Sequence, residues 1–356
     1  MAIRLRFGKT LAAFCFAWPT AALAWDCPAP SGADKEAGYW TPIGTFDEQK
    51  DATDFSGIDC ISERECVLVS DEKRTLFPVV LDRGANTMTI VEGEKLKRRD
   101  ALNDEKRELD LEAVAAVEGD YVVVGSHALR RKSDFAAQDP YQPTRFAIYR
   151  LPDDEPQTAL DAALPQHPAL DDFYRRALTY NGLNVEGLGY RNGELFVGFR
   201  APVWTGEVLS QSENFDQAYI LQIDAKVAGG QDAGPGTLHA VTLSNGEGIR
   251  AIDEVQDGLL LLTGPAAPDP TEPINIDRGT GLGGVYAIPT NQPYRVMRWA
   301  PGEGTAIELA VLDPRAEEKP EGLVVLEETA DAVKVLVIHD TGLCGSPRQI
   351  VIPMAH

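Results

Sequence analysis

A short pattern recurs five times along the 356 residues: a polar residue, a small residue, an apolar run, a turn, and a second apolar run ending at Gly or a polar side chain. The copies begin at Ser56-Gly57-Ile58-Asp59, Glu112-Ala113-Val114-Ala115, Glu186-Gly187-Leu188-Gly189, Arg250-Ala251-Ile252-Asp253 and Glu321-Gly322-Leu323-Val324. Self-similarity of this kind restricts a chain to architectures in which each repeat buries its faces against its neighbours.

Each copy reads as an antiparallel hairpin. Asn192-Gly193 and Asp257-Gly258 stand between apolar runs, and such dipeptides favour tight hairpin turns because both central positions accept positive φ. Third strands are expected at Phe77 to Leu81, Phe146 to Leu151, Tyr219 to Ile223, Val285 to Ile288 and Gln349 to Ile352, with fourth strands clearest at Met88 to Val91 and Arg295 to Trp299. Helical periodicity is confined to a short stretch, Asp171 to Leu178. Sets of about four strands predict an all-β fold, a single β-propeller of five blades, with six as the alternative count.

The spacings between copies are 56, 74, 64 and 71 residues. The 36 residues from Glu321 to the end and the 31 from Trp25 to Phe55 together supply one more repeat length. That predicts a ring closed by an N-terminal strand within Tyr39 to Phe46. Long polar loops follow the second strand of four copies, at 128–145, 201–217, 265–284 and 341–348, which places them on one face, the expected binding face.

The chain opens with Arg4, Arg6 and Lys9, an apolar run from Leu11 to Trp18, and Ala22-Leu23-Ala24, the order of a secretory signal. The expected division is a signal peptide at 1–24 and a propeller at 25–356, periplasmic or extracellular, with no membrane span and a monomeric state. Net charge is −22, becoming −25 once the three basic residues leave, which argues against nucleic acid and anionic membrane as partners. After Cys15 departs four cysteines remain. In an oxidising compartment these read as disulfides. Cys60 and Cys66 flank a short turn and would bridge locally, and Cys27 and Cys344 would join the chain ends; a metal site and free thiols are the competing readings.

If the inner strand of each blade lines the axis, the first residues of the copies form a ring. Ser56, Glu112, Glu186 and Glu321 offer oxygens suited to Ca²⁺, the expected cofactor. Arg250 would compete with the ion or anchor an anionic ligand; alternatively the Glu residues cap backbone N–H groups and Arg250 supplies the counter-charge. Asp71, Lys73, Arg130, Arg131 and Asp340 would stand at the rim as ligand contacts for a small anion or a protein. For a phosphate ester, Arg200 and Arg250 would hold phosphoryl oxygens while His127 or His339 moved protons. Gly279 to Gly284 lacks the strand-to-helix setting of a nucleotide loop. The Lys95, Lys97, Arg98, Arg99 cluster reads as a solvated connector.

Taken together, Asp110-Leu111-Glu112-Ala113-Val114, Gly125-Ser126-His127, Asn184-Val185-Glu186-Gly187-Leu188, Phe199-Arg200-Ala201-Pro202, Gly248-Ile249-Arg250-Ala251-Ile252, Thr263-Gly264-Pro265 and Pro320-Glu321-Gly322-Leu323 resemble a bacterial family of unknown function whose members look like secreted propellers. The Glu-Gly-Leu starts are similar to those of phytase-like esterase propellers. The Ser and Glu ring resembles that of calcium-activated nucleotidases, five-bladed enzymes with an axial Ca²⁺, from which Arg250 departs. These likenesses imply a metal-dependent hydrolase of phosphate esters or anhydrides; a non-catalytic extracytoplasmic propeller binding a ligand or protein is the alternative.

Overall fold

The computed structural model describes residues 24–71, 74–96, 109–129, 143–153, 155–174, 176, 178, 181–203, 216–244, 246–267 and 292–354. The five copies form five antiparallel sheets. Their inner strands are Phe55–Cys60, Leu111–Val117, Asn184–Arg191, Glu247–Val255 and Pro320–Glu328. Each packs on the next, and the fifth packs back on the first, so the sheets close a five-bladed ring.

The apolar runs are explained by what lies between blades. Five separate apolar clusters occupy the five seams, each built from two adjacent blades. Phe55 and Leu68 of blade one, for example, meet Val324, Leu336 and Ile338 of blade five. A blade is therefore buried on both faces, which removes the polar alternation expected of a half-solvated strand. The tight turn at Asn192-Gly193 has positive φ at both residues, 53° and 86°.

Blades three and four have four strands each, blade three ending in Gln217–Asp224 and Thr237–Thr242. In blade four one assignment is corrected. Tyr294–Trp299 pairs directly with Gly258–Pro265 and is the third strand, not the fourth; Ile307–Leu312 lies outside it. The stretch Val285 to Ile288 lies outside the described residues. The short helix falls at Pro168–Tyr174, beside a five-residue helix at Ala159–Ala163.

Ring closure uses the N-terminal segment in a more divided way than a single added strand. Gly38 to Trp40 runs along blade five, where Trp40 N donates to Pro347 O (2.8 Å) and Gln349 N to Gly38 O (2.9 Å). The chain then crosses over, and Thr41–Ile43 adds in parallel to Thr87–Ile90 at the outer edge of blade one. One segment thus fastens both blades that flank the chain ends. Tyr39 anchors the crossing: its hydroxyl donates to Glu318 (2.7 Å), and the Arg315 guanidinium covers its ring at 4.1 Å. The Cys27–Cys344 and Cys60–Cys66 disulfides are both formed. The Cys27 bridge ties the chain's start to blade five, and the Cys60 bridge spans the first hairpin.

Candidate functional site

All five repeat-starting residues share one backbone feature. The pairing register skips Ser56, Glu112, Glu186, Arg250 and Glu321, so each is the extra residue of a β-bulge on its inner strand. A bulged residue is left out of the ladder and its side chain is re-aimed. Here all five are buried, at 2, 8, 4, 3 and 7% exposure. The small residue that follows each bulge has its own reason. A Cβ on Gly57 would lie 2.9 Å from Glu112 O, and one on Gly187 would lie 3.0 Å from Ile252, so this position is where one inner strand closes on the next blade.

Three of the bulged side chains meet. Arg250 Nη1 contacts Glu186 at 3.2 Å and Glu321 at 2.5 Å, while its Nη2 donates to Pro265 O at 2.8 Å. Arg200, itself a bulge on the second strand of blade three, pairs with Glu186 and donates through Nε to Ala266 O (3.2 Å). Asn184 donates to the same carboxylate at 2.8 Å. Burial works against the Arg250 charge, but Glu186, Tyr294 and Glu321 together hold its pKa above the usual value.

The opposite side of the mouth is acidic. Burial first, then Asp110, Glu186, Asp71 and Glu321, raise Glu112 well above the usual carboxylate range. Asp71 is raised by burial and by Asp340, Glu321, Asp110 and Asp54. Burial and Asp340 push Glu321 up to about 8, against the pull of Arg250. Asp340 is raised chiefly by burial, with Lys319 at 3.6 Å opposing. Deeper in the ring Asp59, raised by burial to about 6, and Asp253 each accept a backbone N–H from the following blade, from Ala116 (2.6 Å) and Val325 (2.5 Å).

A stability profile follows from the signs. Folded pKa values above the unfolded ones mean that the native state binds more protons between about pH 4 and the folded values. Stability is then greatest in mild acid and declines as pH rises through about 6 for Asp59 and about 8 for Glu321. A melting temperature about 5 °C or more lower at pH 8 than at pH 5 is the expected calorimetric result.

The remaining predicted positions disperse. His127 takes a left-handed φ of 52° and turns Nδ1 onto Gly125 O at 2.8 Å; its ring packs edge-on against Phe146. His339 turns Nδ1 onto Ser346 O at 2.9 Å and stacks on Tyr39, and burial draws its pKa down. Both rings thus bond backbone near their own strand ends. Lys73, Arg130 and Arg131 lie outside the described residues, as do Gly279 to Gly284 and most of the long loops. Among the described residues no group of three or more His, Cys, Asp or Glu is placed to hold a metal ion. The arrangement does not fit Ca²⁺ at the ring centre, because Glu186 and Glu321 are both engaged by Arg250. Sequence reading missed Asn184 and Asp110, which lie two residues before a bulge. Asp110 accepts from Ser126 and pairs with Arg145 at 2.8 Å. A signal was present, since that position is also Asp at Asp54.

Fold and site together define a five-bladed β-propeller with a polarised axial mouth. The chain belongs to the family described as "Protein of unknown function (DUF3616)", whose model matches residues 136–348, more than half of its length. Among solved structures the chain is similar to virginiamycin B lyase from Staphylococcus aureus, at 12% identity and a TM-score of 0.34, over 86% of this chain and 71% of that one. It is also similar to a GH43 endo-arabinanase from Bacillus licheniformis, at 10% identity and a TM-score of 0.37, over 89% and 97%. Likenesses this distant carry nothing about activity. No curated protein matches the chain.

Proposed function

We propose that this chain is an exported ligand-binding propeller whose ligand seats at the axial mouth. The observation that carries this reading is the set of five bulges, each placing a buried polar or charged side chain where packing alone asks for none. Burying charge is costly unless it is compensated, and here compensation is uneven across the mouth. The unevenness gives a ligand something to correct. Two formed disulfides support an oxidising compartment, as does the N-terminal charge and apolar pattern. No described helix is long and apolar enough to cross a membrane.

A thermal-shift screen of amines, sugars, carboxylates, nucleotides and calcium salts tests this. One class should raise the melting temperature, since occupancy at a hundred times Kd adds about 2.7 kcal/mol. The shift should shrink in Glu321→Gln. No shift from any class, or one unchanged by that substitution, would sink the proposal.

The second reading is a Ca²⁺-dependent hydrolase of phosphate esters, supported by the likeness of the Ser and Glu ring to calcium-activated nucleotidases and of the Glu-Gly-Leu starts to phytase-like esterases. It requires Glu186 and Glu321 to release Arg250. Phosphate-ester turnover that EDTA abolishes would favour it over simple binding.

A further inference from the structure

The arginine half of the mouth is internally neutralised, whereas the seam between blades one and two is not. Ser56 is 2% exposed and its hydroxyl has no hydrogen-bond partner among the described residues. Among the described residues the carboxylate of Glu112, the bulged residue of the next blade, makes no hydrogen bond or ion pair, and the charges that act on it most, Asp110, Glu186, Asp71 and Glu321, are carboxylates. The seam holds the two positions together, because the backbone at Gly57, next to Ser56, closes directly on Glu112 O and on Ala113.

Two carboxylate oxygens and one hydroxyl make three acceptors carrying a single negative charge. Three N–H donors carrying a single positive charge would satisfy them. A divalent ion would want six or more oxygens, and among the described residues no group of three or more acidic, His or Cys side chains is placed to supply them. Val69 and Val114 belong to the apolar cluster that fills the same seam.

We propose that Ser56 and Glu112 form a subsite for a primary ammonium group, an assignment that rests on the binding-propeller reading. Glu112 accepts two N–H bonds and Ser56 one. Nearby Asp71, Asp110, Asp54 and Asp340 draw the cation to the mouth, while Arg250, Arg200, Arg145 and Lys319 oppose it from their own ion pairs.

Calorimetric titration with n-butylammonium, tetramethylammonium and calcium chloride tests the proposal. The expected result is saturable butylammonium binding. Glu112→Gln, which replaces a group with no bonded partner by an isostere, should retain the wild-type melting temperature within a few degrees and weaken butylammonium at least about tenfold. Ser56→Ala should weaken it by about fivefold. Equal binding of tetramethylammonium, which has no N–H donor, or undiminished affinity in Glu112→Gln, overturns the assignment. Saturation by calcium alone overturns it too. If butylammonium fails while another class in the thermal-shift screen binds, the ammonium subsite is wrong and the binding propeller stands.

Discussion

Replacing Arg250 with methionine is expected to destabilise the fold by about 3–5 kcal/mol, the cost of leaving a buried charge without its partner. Arg250 joins blades three, four and five by touching Glu186 and Glu321 at once. Methionine retains much of the apolar stem but strands Glu321, while Glu186 keeps Arg200 and Asn184. The loss should be larger at pH 8 than at pH 5, because acid lets Glu321, pushed up to about 8 by burial and Asp340, hold a proton in place of the lost cation. Adding Glu321→Gln to Arg250→Met should recover most of the stability, since Glu186 keeps its pairing with Arg200 and the remaining cluster is neutral. Denaturant titrations of the single and double variants at both pH values measure this. A single variant with wild-type stability at pH 8 would show that the ring contacts are energetically idle.

Opening the Cys27–Cys344 bridge is the second large perturbation. The two cysteines are 317 positions apart, and chain-entropy reasoning assigns a loop of that size on the order of 5 kcal/mol, against about 2 kcal/mol for the six-residue span of Cys60 and Cys66. The position sharpens the contrast. Cys27–Cys344 fastens the same junction that Gly38 to Trp40 and Thr41–Ile43 close by hydrogen bonds, so losing it weakens the one place where the ring is not held by continuous chain. Cys27→Ser with Cys344→Ser should lower the melting temperature clearly more than Cys60→Ser with Cys66→Ser. Comparable losses from both pairs would show that ring closure depends on the hydrogen-bonded crossing alone.

Much of this fold was legible in the chain because the repeat is a direct consequence of how blades pack. A small residue recurs after each polar one since the inner strand must close on its neighbour, as Gly57 does on Glu112 and Ala113. The apolar runs recur because both faces of each blade are buried. Cysteine pairing was readable for a similar reason: once a ring is inferred, its two chain ends must meet. The strand count of blade four was less legible, because Tyr294–Trp299 follows a long interval and its rank depends on a partner rather than on its own pattern.

The axial site divides differently. The chain alone determined that Ser56, Glu112, Glu186, Arg250 and Glu321 occupy one repeated position, and hence that they converge. Only the tertiary structure decided what they do there. Charge pairing depends on distances between separate blades: Arg250 reaches Glu186 and Glu321, Arg200 reaches Glu186, and Glu112 is left among other carboxylates. Nor could the pattern show that each position is a bulge, since a bulge is a mismatch between two strands and belongs to neither one. Sequence periodicity records which residues share an environment, while the balance of charge within it is set by reach and burial in three dimensions.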